Sequence, residues 1–137
     1  MEEQLASRIK VGSGGPYEDL VGYSRVICAG PFVYVAGTTA GSDGSPIPES
    51  CAEQTQQTIE IIRQKLAEID VALDEVVRVR MFVTNIKRDW EAVARVMNTY
   101  FFDTKPAMTM VQIAALIDDK MAIEIEMDAV RKKTSRA

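Results

Sequence analysis

Glu124, Glu126 and Asp128 alternate along the last apolar stretch of the chain, so a strand there sets three carboxylates in a row on one face. Carboxylates can orient water and move protons, and here they would act without imidazole, because the 137 residues include no histidine. That removes Ser-His-Asp triads, Cys-His dyads and His-ligated metals. The available chemistry falls to carboxylates, Tyr, Thr, Lys, Arg, backbone amides and water. Thr38 and Thr39 follow Gly37 at the end of an apolar run, where their hydroxyls either bond a ligand or cap a turn. Met108 and Met110 flank Thr109 and share one side of a strand. The methionine pair either fills core or interface or lines an apolar cleft that accepts a less anionic ligand, and the Thr109 hydroxyl is a further candidate to point inward. Cys28 and Cys51 lack the paired spacings of zinc sites or disulfide frameworks and read as small buried hydrophobes.

These residues need elements to hold them. "VGSGGPYEDLVGY", from Val11 to Tyr23, is rich in glycine and reads as a loop with unusual backbone angles. "SRVICAGPFVYVAGTTA" reads as two short strands split by Gly30-Pro31, a hairpin, and "GSDGSPIPES" as a second loop. Ser50 with Glu53 three residues on is a capping box. It opens a helix whose stripe is Ala52, Thr55, Ile59, Ile62, Leu66 and Ile69, leaving Gln54, Gln57, Glu60, Gln64 and Glu68 to solvent. Val77, Val79, Met81 and Val83 then alternate with Arg78, Arg80, Phe82 and Thr84, a strand with one apolar face. Asp89 is expected to cap a second helix with Trp90, Val93, Ala94, Met97, Tyr100 and Phe101 on its inner side. The segment from Lys105 to Val130 supplies two last strands, and a further short one is expected near Ile9 to Gly12.

The order β-β-α-β-α-β-β is an α+β arrangement, expected as one domain over residues 1–137 with a frayed tail at 131–137. Two helices cover one face of such a sheet, so the other face needs polar residues or a partner, and a homo-oligomer is expected. Facing rows of opposite charge, Arg78 and Arg80 against Glu124, Glu126 and Asp128, can pair across strands or subunits. The net charge of -4 leaves no electrostatic footprint for nucleic acid. No apolar run approaches the roughly 18 residues of a membrane span, and the acidic, amphipathic N-terminus lacks a signal core, so a cytoplasmic location is expected.

The element order, together with "GGPYEDLV", "VYVAG", "VVRVRMFVTNIKRDWEAV" and the terminal "PAMTMVQIAAL" and "AIEIEMDAV", resembles the Rid superfamily, whose namesake RidA is a reactive-intermediate deaminase. The resemblance implies a chorismate-mutase-like subunit and a homotrimer with clefts shared between neighbours. It implies hydrolysis of imines and enamines such as 2-aminoacrylate to a 2-oxo acid and ammonia, with no metal or organic cofactor. Neither nucleic acid nor a membrane is an implied partner.

Carried over by position, Tyr17 of the Gly15-Pro16-Tyr17 loop would wall the cleft, since a phenol needs help to donate a proton usefully. Gly37 would approach substrate, preceded by Ala36 and followed by Thr38. Glu124 matches the carboxylate that orients water, with a solvated or ion-paired strand residue as the plainer alternative. Met108 stands where the family's arginine grips the substrate carboxylate. Met108 would leave a neighbouring Glu124 without a countercharge. Lys105, Arg78, Arg80 and Arg88 are the candidate replacement cations. Three readings follow: a small-metabolite binder or related hydrolase without the clamp, an imine deaminase with a substitute cation, and a non-enzymatic trimer that binds proteins.

Overall fold

The computed structural model describes residues 8–132. Six strands form one mixed sheet: β1 (Arg8–Val11), β2 (Val26–Ala29), β3 (Phe32–Thr38), β4 (Val76–Val83), β5 (Ala107–Gln112) and β6 (Ile123–Val130), ordered β1-β2-β3-β6-β4-β5. The expected short strand is present as β1. All neighbours are antiparallel except β4 and β5, which run parallel. β5 and β6 therefore flank β4 on either side, and β5 is an edge.

The hairpin forms as expected, turning at Gly30 with φ +63 and at Pro31, whose ring holds φ negative. The glycine-rich stretch is less irregular than its composition suggests. Pro16 opens a short helix, α1 (Pro16–Val21), closed by Gly22 at φ +94, whose N–H donates to the Glu18 carbonyl at 2.8 Å.

Helix α2 (Cys51–Ala67) carries the expected cap: the Ser50 side chain accepts from the Glu53 N–H at 3.1 Å. Its inner face holds Thr55, Ile59, Ile62 and Leu66, and also Gln54, expected in solvent but 1% exposed. The amide is fully used there. Gln54 Nε2 donates to the Pro48 and Lys120 carbonyls, both at 2.8 Å, and Oε1 accepts from the Ala122 N–H at 2.8 Å. Helix α3 (Ile86–Phe101) starts earlier than expected, capped by Asn85, whose side chain accepts from the Arg88 N–H at 3.2 Å. Asp89 is instead buried one turn in, held by Arg88 through two bonds of 2.9 Å. The inner stripe thus runs Asp89, Val93, Met97, Phe101, and Trp90, one step round the helix, is 51% exposed.

Both helices lie on one face of the sheet, over Val33, Val79, Met81, Val83, Ile123, Ile125 and Met127. A register shift between Val76 and Arg78 turns Val76 inward and leaves Val77 46% exposed, against the simple alternation. Among the described residues the opposite face has no covering element, and it carries Phe32, Tyr34, Arg80, Glu126 and Asp128. The opposite charges pair within the chain, Arg80 reaching Glu126 at 3.3 Å and Asp128 at 3.2 Å. Cys28 and Cys51 are buried free thiols, as expected, and burial with Asp89 nearby pushes Cys51 up to about 11. Arg131 and Lys132, expected to fray, are tied down: Arg131 donates to the Gly30 and Pro31 carbonyls and the Lys132 N–H to Glu75. The rest of that tail lies outside the described residues.

Candidate functional site

Strand β3 gains one residue on β6 between Val35 and Thr38, a bulge centred on Ala36 and Gly37. The side chain of Glu124, on β6, lies over Gly37. A Cβ at position 37 would sit 2.8 Å from both Cδ and Oε2 of Glu124, so the carboxyl packs on the bare Cα of Gly37. A larger residue here would push the flexible end of Glu124 aside, so glycine sets where that carboxyl lies by close approach and not by backbone angle.

Half-buried in this way, Glu124 has its pKa raised above the ordinary value, first by desolvation and then by Glu126, while Arg25 pulls it down. Arg25 was not singled out from the sequence, where it looks like one more charge at a loop end. It is only 4% exposed. Its Nη1 donates to the Gly37 carbonyl at 2.6 Å and to Thr38 Oγ1 at 3.1 Å, and its Nη2 to the Tyr23 hydroxyl at 3.2 Å. Its Nε is buried without a partner among the described residues. Arg25 therefore clamps the bulge and offsets part of the rise at Glu124.

The same guanidinium lowers the pKa of Glu18, but less than Glu18's own hydrogen bonds do, led by the Ser13 hydroxyl. Glu18 Oε2 accepts from the Ser13 N–H at 2.8 Å, the Ser13 hydroxyl at 2.6 Å and the Gly14 N–H at 2.9 Å. These bonds fasten the loop that carries Tyr17, which is 42% exposed. Thr38 sits differently from expectation. It is wholly buried, its hydroxyl donating to the Ala36 carbonyl at 2.7 Å and accepting from Arg25, so it braces the bulge and offers nothing to an opening.

Met108 is not the neighbour of Glu124 within one chain that was expected. It pairs with Val79, and Met110 with Met81, so both methionines face the helices. Glu124 pairs with Phe82 on the open face, as does Thr109 with Arg80. Within one chain Met108 and Glu124 lie on opposite sides of the sheet with β4 between them. Met108 and Met110 instead floor an apolar groove of about 360 Å³ between β5 and α3, together with Met81, Met97 and Phe101. Periodicity could place the two methionines on one side of β5; which side depended on where β5 joined the sheet. No group of three or more His, Cys, Asp or Glu able to hold a metal occurs among the described residues.

A sequence model described as Endoribonuclease L-PSP matches residues 17–131, spanning the loop, the bulge, Glu124 and β5. The chain belongs to the Rid/YjgF family. Among Rid/YjgF structures it is similar to Rv2704 of Mycobacterium tuberculosis, a member of the YjgF/YER057c/UK114 family, at 39% identity and a TM-score of 0.84, covering 90% of this chain and 99% of that one. Yeast Mmf1 is 29% identical with a TM-score of 0.81, covering 92% of this chain and all of that one. A RutC family protein of Pyrococcus abyssi is 32% identical over 113 residues, 81% of this chain and 86% of its own. The α+β fold expected from the sequence is that of these Rid/YjgF structures. No helix among the described residues is long and apolar enough to cross a membrane.

Proposed function

We propose that this Rid-family protein is a trimer whose shared clefts bind a small metabolite and hydrolyse a C=N or enamine bond in it, with short 2-imino acids poor substrates. The observation that carries this reading is the Glu124 carboxyl, packed on Gly37 and held above its ordinary pKa. Such a group can take a proton from water as the oxygen adds to the C=N carbon, then return it to the departing nitrogen. The products are a carbonyl compound and ammonia.

Formation of the cleft calls for a neighbour, because Glu124 and Met108 face opposite sides in one chain. β5 is the edge strand that a second subunit could bring against Glu124, and Tyr17 would then wall the same space. What the cleft lacks is a guanidinium fork. Two charge-assisted hydrogen bonds to a carboxylate are worth on the order of 2 to 5 kcal/mol, about 30-fold or more in affinity, and a thioether supplies neither. Arg25 cannot replace it, being buried and already bonded to Gly37, Thr38 and Tyr23.

A nuclease reading of the matched description has less behind it. Of the open-face arginines, Arg80 is neutralised by Glu126 and Asp128, and the chain is acidic overall. The apolar floor of the Met108 groove, which carries no guanidinium, favours a second reading, a trimer that binds proteins without turnover. The cytoplasmic location stays part of the proposal.

Coupled detection of 2-oxo acid and ammonia from freshly generated 2-aminoacrylate or 2-iminobutyrate tests it. Wild type should be at least about 30-fold slower than an arginine-bearing relative, Met108→Arg should recover part of the rate, and Glu124→Gln should abolish it. Wild-type rates equal to the relative's would overturn the missing-clamp argument. Ligand binding without turnover on any imine would favour the second reading.

A further inference from the structure

Lys105 is one of two residues other than glycine with positive φ among those described, at +49. It ends α3: its N–H donates to the Phe101 carbonyl at 2.8 Å, the left-handed closure that glycine makes without strain. A residue before proline is restricted further, and Pro106 follows. Lysine is thus a poor choice for the backbone at this point, which directs attention to its side chain.

The ammonium stands at the rim of the groove floored by Met108 and Met110. It lies 4.0 Å over the Phe102 ring and donates to the Phe102 carbonyl at 2.7 Å, which leaves two of its three donors for another acceptor. Among the described residues lining the groove, Lys105 is the only charged one and Asn98 the only other polar one. Below it the surface is thioether and phenyl, adaptable to flat or branched apolar groups. The volume of about 360 Å³ lies within the range of small-ligand sites.

We infer that this groove binds a small carboxylate with an apolar body, its charge held by Lys105 and its body by Met81, Met97, Met108 and Met110. The inference rests on the cleft reading in that the groove is taken as the Met108 half of that cleft. It narrows the substrate class to carboxylates with aromatic or branched side chains, held by one ammonium at the rim in place of a guanidinium at the floor. Pyruvate-sized acids carry the charge without a body long enough to reach the methionines.

Calorimetric titration in low salt separates charge from body with three probes: phenylpyruvate, its uncharged analogue 4-phenyl-2-butanone, and pyruvate. Wild type should bind phenylpyruvate about tenfold or more tighter than either of the others. Lys105→Gly should lose that preference while melting at the same or a higher temperature, and Lys105→Arg should keep it. A binding loss with a gain in stability is not what a merely structural lysine would produce. Equal affinity for the acid and the ketone, undiminished acid binding by Lys105→Gly, or no phenylpyruvate binding to wild type would each overturn the inference. Lys105-dependent binding by a protein that hydrolyses no imine supports the groove and overturns only the hydrolytic reading.

Discussion

Glu124 gains its character from two neighbours that a linear reading does not place beside it, the bare Cα of Gly37 and the Arg25 guanidinium that fixes Gly37's carbonyl. Burial and Glu126 raise its pKa above 4.5, and Arg25 offsets part of that rise. A carboxyl raised in this sense favours the folded chain while protonated, fully so below the unfolded value, and the favour is lost as pH climbs through the raised one. Glu124→Gln keeps the shape and never ionises. It should therefore melt above wild type at about pH 7 to 8, with the gap closing toward about pH 4, as thermal scans across that range would measure. A gap that does not vary with pH would show that Glu124 ionises in the folded chain as easily as in water. The same variant loses hydrolysis in the imine assay, so stability and activity should move in opposite directions at neutral pH.

At the scale of elements, the site depends on loops held by side chains. Gln54 ties α2 to the loop before it through Pro48 and to the approach to β6 through Lys120 and Ala122. That approach sets where β6 begins, and Glu124 is its second residue. Gln54→Leu keeps the volume but strands two part-buried carbonyls and one N–H, each costing roughly 1 to 3 kcal/mol if no water enters. A loss of about 2 to 5 kcal/mol in urea unfolding is expected. A cost under about 0.5 kcal/mol would mean that water takes over all three bonds. The capping box of α2 and the β4 alternation were legible because both are written within a few residues. Gln54 was not, because a buried amide on a helix looks like a solvated one until its partners, 6 to 68 residues away, are in place.

For the molecule as a whole, the open sheet face is the feature without an internal explanation. Phe32 and Tyr34 are half exposed beside Val130, while the ion pairs of Arg80, half in solvent, are each worth at most about 1 kcal/mol. An apolar patch of this kind on a sheet that helices cover on one side only is what a subunit contact would bury. Sedimentation should give a mass three times that of the 15.2 kDa chain. Tyr34→Glu, which sets a second carboxylate opposite Asp128, should shift the population toward single chains. A wild-type monomer at micromolar concentration would remove the shared cleft.

Most of the architecture was determined by local sequence alone: the hairpin at Gly30-Pro31, α2 from its cap, β4 and β6 from alternation, and with these the family. Periodicity, caps and turn residues act over a few positions and so survive without a fold. Tertiary structure decided the rest. Trp90 turned outward because the helix began at Asn85, Val77 because of a bulge, and Thr38 inward because Arg25 was waiting there. Above all, it decided the meaning of Met108. Alternation places Met108 and Met110 on one side of β5, but a strand has two sides, and only the parallel pairing with β4 chose the helix side and the company of Lys105.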